Sequence, residues 1–166
     1  MNDSKKIKFF LTPSIADVIF LCLFLSLSLS AGKCLLNDGD TGYHIRAGEY
    51  ILNTLSIPRQ DIFSFHAPPL PWTAHEWLSE VIMAIVHRSF GLTGIVIFFS
   101  LIISLVYSLF FKILKVNDDI VLSVFFALLV LSSSHIHWLA RPHIFSLLLM
   151  IIWYYVLDEY QYKDRN

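Results

Sequence analysis

The stretch from Gly91 to Phe111 contains no charged residue and is followed by Lys112 and Lys115. As a helix, an uncharged run of this length matches the thickness of the hydrocarbon core of a bilayer. It predicts a transmembrane helix, because in lipid only a helix or a closed barrel satisfies its backbone hydrogen bonds internally. The composition agrees with this prediction, since 56% of the residues are hydrophobic and only 15% are charged.

Other apolar runs predict further membrane helices, at residues 18–36, 120–140 and 144–157. The last of these is long enough to span only if the aromatic residues at 153–155 form an interfacial belt. The first has an alternative, a cleaved signal peptide, because the basic N-terminus and the small residues at 30–32 also fit that pattern. The later runs make the chain a membrane protein under either interpretation.

Residues 37–90 form a polar segment in which no uncharged run is long enough to cross a bilayer. Apolar residues at helical spacing predict one amphipathic surface helix from Asp40 to Leu55 and a second from Ala74 to Phe90. We therefore predict an all-α, polytopic membrane protein with about four transmembrane helices and a large outer loop that holds two surface helices. Its predicted parts are residues 1–36, 37–90 and 91–166.

Lysines and arginines near short loops indicate orientation, because they are enriched on the cytoplasmic side. With the N-terminus inside, seven basic residues face the cytoplasm: Lys5, Lys6, Lys8, Lys112, Lys115, Lys163 and Arg165. Five face the outside: Lys33, Arg46, Arg59, Arg88 and Arg141. The margin is small, but every short inner loop is basic, which predicts two cytoplasmic termini. The polar loop and the turn at residues 135–143, here called the Arg141 corner, then share the outer face.

Charged residues follow directly where the first apolar run ends. Asp38, Asp40 and His44 lie at this boundary, where charge is costly unless it is solvated or paired, so their placement suggests a site. The alternative is that Asp40 caps the following helix, where its negative charge is favoured. The two interpretations are compatible, because one carboxylate can cap while the other faces a cavity.

Two further groups of polar residues could take part in chemistry. His75 and Glu76 begin the second surface helix, although Thr73 and Glu76 also match a capping box. A cationic patch could hold a phosphate at head-group depth through the paired hydrogen bonds of a guanidinium; its members are His135, His137, Arg141 and His143. The alternative for this patch is ordinary contact with lipid head groups.

Four segments carry a resemblance: Asp38-x-Asp40-x-x-Tyr43-His44-x-Arg46-x-Gly48-Glu49, Ile57-Pro58-Arg59-x-Asp61-x-Phe63-Ser64-Phe65, Trp72-x-x-His75-Glu76-Trp77-Leu78 and Arg141-Pro142. Taken together they resemble bacterial multi-spanning proteins similar to the GT-C glycosyltransferases, such as protein mannosyltransferases and lipid A aminoarabinose transferases. The resemblance covers residues 38–78 densely and the rest only as a hydropathy pattern. Gly42 departs from it, standing where such families have one member of an aromatic pair. GT-C enzymes also have many more spans, so the chain would correspond to an N-terminal portion, a truncated product or a short relative.

The resemblance implies transfer of a sugar from a polyprenyl-phosphate donor to an acceptor at the outer face of a bacterial inner membrane. Such chemistry needs a base for the acceptor hydroxyl and cations for the developing phosphate charge. We assign Asp40 as the base and Asp38 as its partner or as a metal ligand, with His75 and Glu76 in supporting positions. The phosphate-side candidates are chosen by charge and membrane side rather than by motif: His44, Arg46, Arg141 and His143.

The cofactors and partners follow from the same scheme. No cofactor is certain, but Asp38, Asp40 and His44 are hard ligands that leave a divalent metal open. The expected partners are membrane lipid, the polyprenyl-phosphate donor and other membrane subunits. Nucleic acid is not expected, because the net charge is -1 and the basic residues are scattered. The alternative function is a non-catalytic membrane subunit, or a truncated remnant of the family, that binds lipid or a partner protein.

Overall fold

The computed structural model describes residues 13–30, 32–114 and 119–163. Within these ranges the regular structure is helical and contains no β-strand, which confirms the predicted all-α class. In chain order the α-helices are α1 (Ile15–Leu25), α2 (Gly32–Leu35), α3 (Asp40–Thr54), α4 (Trp77–Ile113), α5 (Ile120–Ser134) and α6 (His143–Lys163). A π-helical turn, Ser26–Ser30, follows α1, and a 3₁₀ turn, His135–His137, follows α5.

Some of the helices are long and apolar enough to cross a membrane. Among the described residues there are three such stretches, Trp77–Ile113, Ile120–His137 and His143–Gln161, which agrees with a membrane protein. The apolar stretch Ile15–Ser30 is shorter. The first apolar run is therefore not one uniform helix, because a π turn occupies its Leu-Ser alternation, where serines lower helix propensity.

Helix α4 is the centre of the structure. Of its most apolar stretch, 61% is buried by the rest of the chain, compared with 11% for Ile120–His137 and 6% for His143–Gln161. Helices α1, α3 and α6 pack directly against it. Buried side chains of α4 such as Met83, Ile95 and Phe99 form most of the hydrophobic core.

Gly91 divides α4 into two parts. Its backbone angles, φ 63° and ψ −159°, lie outside the helical region and in a region that only glycine adopts without strain. The predicted second surface helix and the predicted span after it are therefore one element with a break at the expected boundary. The predicted capping box is wrong, since α4 begins at Trp77 and Glu76 makes no capping hydrogen bond.

The loop between α3 and α4 explains that late start. The Trp72 N–H donates to the Arg59 carbonyl at 3.1 Å, and the Asp61 N–H donates to the Leu70 carbonyl at 2.8 Å. These bonds pair Gln60 with Pro71 in an isolated bridge, and Thr73 follows this bridge as part of the loop rather than of the helix.

Part of the orientation argument lies outside the described residues, because it uses Lys5, Lys6, Lys8, Lys115 and Arg165. The predicted orientation and the division into parts at residues 36 and 90 therefore remain predictions.

The last two helices of the chain, α5 and α6, end at other residues than the sequence predicted. Helix α5 ends at Ser134 rather than Ala140, and α6 continues to Lys163, well beyond the predicted limit at Leu157.

Candidate functional site

Three charged residues from distant parts of the sequence meet at the Arg141 corner. The guanidinium of Arg141 forms ion pairs through Nε with Asp38 Oδ2 and through Nη2 with Asp40 Oδ2. The contact with Asp38 lacks hydrogen-bond geometry, since neither of its two atoms has a hydrogen-bond partner among the described residues. The exposed fractions of the side chains are 14% for Asp38, 33% for Arg141 and 50% for Asp40. The two predicted catalytic residues and one predicted phosphate ligand are therefore in contact.

Backbone hydrogen bonds connect this corner to the first part of the chain. The Ala140 N–H donates to the Leu35 carbonyl at 2.8 Å, and the Thr41 hydroxyl donates to the Ala140 carbonyl at 3.3 Å. Ala140 is fully buried, where unpaired backbone groups would be costly. The end of α2 and the start of α3 are thus joined to the residue that precedes Arg141.

The start of α3 determines where the two carboxylates point. The N-cap position is Gly39, and Asp38 Oδ1 accepts a hydrogen bond from the Asp40 N–H at 3.1 Å. Asp40 is the first helical residue and does not cap α3, so that alternative is wrong. Its charge still lies in the first turn, where the helix dipole favours it. The Asp40 carboxylate is left to contact Arg141.

Two of the predicted phosphate-side residues point elsewhere. His44 is buried, and its Nδ1 lies 3.0 Å from Glu80 Oε1 on α4. Arg46 is exposed and donates from Nη1 to Glu49 Oε2 at 2.6 Å. The structure does not bring either side chain to the Arg141 corner.

The His44–Glu80 pair lies where α3 and α4 approach most closely. A Cβ atom on Gly48 would lie 2.0 Å from the carbonyl oxygen of Glu80, so only glycine fits at that point of α3. One Glu80 oxygen contacts His44, and the other, Oε2, has no hydrogen-bond partner among the described residues. The side chain of Glu80 is completely buried. This is a structural pair with incomplete polar satisfaction.

A series of aromatic rings begins at His44. The Tyr43 ring lies 4.0 Å from the His44 ring, and Phe63 meets both Tyr43 and Trp72 edge-on, at 5.7 Å in each case. This series of rings joins the loop to α3. Burial, and then the carboxylates of Glu76 and Glu80, raise the pKa of Tyr43 above its ordinary value of 10.0.

A cleft of about 600 Å³ lies between the start of α4 and the start of α6. Its polar lining includes His75, Glu76 and His143, three of the residues proposed from the sequence. Its other lining residues are mostly apolar: Trp77, Leu78, Ser79, Ile82, Pro142, Phe145, Ser146, Leu148 and Leu149. Arg141 does not itself line the cleft, but Pro142, the next residue in the chain, does, so the ion cluster adjoins the cleft at this point.

The three histidines of the predicted cationic patch are exposed, and the rings of two of them contact backbone carbonyls. His135 Nδ1 lies 2.6 Å from the Ser132 carbonyl, and His143 Nε2 lies 2.8 Å from the His137 carbonyl. The 3₁₀ turn His135–His137 is the first part of the Arg141 corner. Among the residues that the structure describes, Arg141 is the member of this patch that is paired with carboxylates.

Sequence reasoning assigned no role to Glu80, which the structure buries. The available signal was its spacing from Ala84: the two residues lie one helical turn apart on α4, on the face that packs against Gly48 of α3. A carboxylate on such a face requires a polar partner from the neighbouring helix.

In the described part of the chain, no group of three or more His, Cys, Asp or Glu side chains is close enough together to hold a metal ion. The set formed by Asp38, Asp40 and His44 is therefore not assembled in this structure. Comparison with protein-family models, curated proteins and solved structures finds no match to this chain.

Proposed function

We propose that the chain is a membrane glycosyltransferase similar to the GT-C enzymes, or the N-terminal part of one. It transfers a sugar from a polyprenyl-phosphate donor to an acceptor at the outer face of a bacterial inner membrane. Both termini are placed in the cytoplasm, so that the Arg141 corner faces outward. The observation that supports this proposal most is the contact of Arg141 with Asp38 and Asp40 beside a cleft that is largely apolar.

The cleft suits a lipid phosphate better than a water-soluble donor. Its walls include Leu78, Phe145 and Leu149, which an isoprenoid chain can contact, while His143 is a polar lining residue two positions from Arg141 in the chain. Apolar pockets with a few convergent polar groups are the usual form of ligand sites. A phosphate bound there would place the sugar carbon close to the acidic pair.

The transfer requires a proton acceptor and charge stabilisation. Asp40 takes the proton of the acceptor hydroxyl as the acceptor oxygen forms its bond to the anomeric carbon of the sugar. The bond from that carbon to the donor phosphate oxygen breaks, and the polyprenyl phosphate leaves with the electron pair. Arg141 and His143 stabilise the negative charge that develops on the phosphate. Asp38 holds Arg141 in place.

The test measures release of polyprenyl phosphate from lipid-linked sugars by the full-length native protein in proteoliposomes. Asp40→Asn should lower the rate by about 100-fold or more, because a positioned base typically contributes a factor of 10² to 10⁴. Arg141→Gln should lower it as well, through loss of charge stabilisation at the leaving phosphate.

Asp61→Asn is the matched control, because Asp61 is an aspartate of the same outer loop whose side chain accepts hydrogen bonds from the nearby Phe63 and Ser64 N–H groups, outside the proposed site. Its rate should equal that of the unaltered protein. An Asp40→Asn protein that folds normally and transfers sugar at the unaltered rate would refute the proposed mechanism.

A second candidate is a non-catalytic subunit that binds lipid or a partner protein. The low burial of Ile120–His137 and His143–Gln161 favours it, because apolar helix faces left uncovered can receive other membrane helices. This candidate predicts that the purified protein alone releases no polyprenyl phosphate, and that polyprenyl phosphate is released only when a partner is added. In that case Asp40→Asn would leave the rate of the complex unchanged.

A further inference from the structure

The two carboxylates that contact Arg141 are held differently. Asp38 is 14% exposed and also accepts the Asp40 N–H through its other oxygen. Asp40 is 50% exposed, and the structure gives its carboxylate no hydrogen bond to any other described residue. Asp38 is therefore a fixed partner of the guanidinium, and Asp40 is a removable one.

We propose that Arg141 exchanges partners: a phosphate group replaces Asp40 at the guanidinium while Asp38 remains in contact with it, and this exchange releases the Asp40 carboxylate. The inference rests on the proposed function, which it extends by assigning an order of events. Asp40 is free to accept a proton only once a phosphate occupies Arg141.

The chemistry of the groups favours this exchange. A guanidinium carries five N–H donors, so it can contact Asp38 and a phosphate together. Phosphate oxygens bind guanidinium in the bidentate geometry that Arg provides. The Asp40–Arg141 ion pair is partly exposed to solvent, with Asp40 the more exposed partner, and such pairs contribute little because water solvates the carboxylate once it separates.

The position of the corner also favours it. Pro142 and His143, the two residues that follow Arg141 in the chain, line the cleft. Ala140 is fixed by its bonds to Leu35 and Thr41, so the backbone beside Arg141 keeps its position while the Asp40 side chain moves. The exchange then needs only a rotamer change at the first residue of α3.

Asp40 and the phosphate compete for the Arg141 guanidinium. Weakening the contact between Asp40 and Arg141 should therefore tighten phosphate binding. The experiment measures the Kd of farnesyl phosphate, inorganic phosphate and farnesol for the full-length protein in nanodiscs. Asp40→Asn should tighten farnesyl phosphate by about 2- to 5-fold, the equivalent of one exposed ion pair. Arg141→Gln should weaken it, and farnesol should bind all variants equally.

Asp38→Asn is the matched variant, because it removes the same charge from the same guanidinium. It should not tighten binding, since loss of the fixed partner leaves Arg141 less well oriented. Equal tightening by Asp38→Asn and Asp40→Asn would mean a simple charge effect and would overturn the exchange, as would no tightening by Asp40→Asn. Asp61→Asn should bind like the unaltered protein, and thermal unfolding of each variant confirms its fold.

The two phosphate carriers identify the source of the ligand. If farnesyl phosphate binds tightly and inorganic phosphate binds weakly, the ligand is a lipid head group. If inorganic phosphate also binds tightly, the ligand is a free anion. In both cases tighter binding by Asp40→Asn than by the unaltered protein supports the exchange. Loss of sugar transfer in Asp40→Asn without tighter binding would overturn the exchange and leave the proposed function standing. Tighter binding of farnesyl phosphate by Asp40→Asn with an unaltered rate of sugar transfer would support the exchange and overturn the proposed function.

Discussion

Two acid–base contacts lie one helical turn apart on α3, and they differ in their exposure to solvent. At the first residue of the helix, Asp40 contacts Arg141 with half of its side chain exposed. One turn later, His44 contacts Glu80 with both side chains buried. A buried pair is strongly destabilised when one partner is lost, whereas an exposed pair contributes little. The comparison indicates a structural pair beside an exchangeable one.

The difference follows from how α3 lies on α4. Small residues in the middle of α3, Ala47 and Gly48, allow close approach to α4 around Glu80. The helix N-terminus extends to the Arg141 corner, where Thr41 makes the last buried contact. Asp40 therefore lies just beyond the tightly packed interface.

The largest expected effect is at Glu80. Glu80→Ala should lower the free energy of unfolding by about 3 to 5 kcal/mol, because it leaves His44 buried without its polar partner. Glu76→Ala is the control on the same segment and should change it by less than about 0.5 kcal/mol, since Glu76 is exposed. Denaturant titration in mild detergent measures both values. Similar losses in the two variants would contradict the assignment of a structural pair.

The next effect is at the point of closest helix approach. Gly48→Ala should destabilise the protein by about 1 to 3 kcal/mol, because its Cβ would meet the backbone of Glu80 and force the helices apart. Gly42→Ala lies on the same helix with no atom near its added Cβ, and should instead stabilise it by about 0.5 to 1 kcal/mol. Thermal unfolding of both variants checks the prediction, which requires opposite signs.

A smaller effect is expected at the exposed contact. Asp40→Asn should change the free energy of unfolding by less than about 1 kcal/mol, because exposed ion pairs contribute little. The same denaturant titration measures it. A loss as large as that of Glu80→Ala would make the Arg141 corner a structural element and remove the contrast between the two pairs.

The smallest effect concerns pH. Because the pKa of Tyr43 is raised above 10.0 in the folded protein, the unfolded chain loses this proton first. The stabilisation by neutral Tyr43 is complete below pH 10.0 and is lost as the pH rises through the folded-state pKa. Comparing the alkaline unfolding of Tyr43→Phe with that of the unaltered protein checks this, and identical pH dependence would contradict it.

Local pattern predicted part of the structure well. Helix α3 was expected from Asp40 to Leu55 and runs from Asp40 to Thr54, because its apolar residues recur at helical spacing. The break at Gly91 coincides with the change from mixed to uncharged sequence. Predictions that depended on one short motif did less well: the Thr73–Glu76 capping box does not form, because tertiary hydrogen bonds of the loop decide where α4 begins.

The candidate site shows the same division. Its residue types could be listed from the sequence, but Arg141 reaches Asp38 and Asp40 only because Ala140 bonds to Leu35 and Thr41, the latter 99 residues away. His44 was expected on the phosphate side, but the structure places its ring against the buried carboxylate of Glu80.

By itself the sequence determined the helical class and the presence of helices that can cross a membrane, because the composition of each long apolar run decides its partition into lipid. Only the tertiary structure decided which charges are paired and which are buried. A charged side chain's partner depends on how close two helices approach, and that distance is set by packing of residues far apart in the chain.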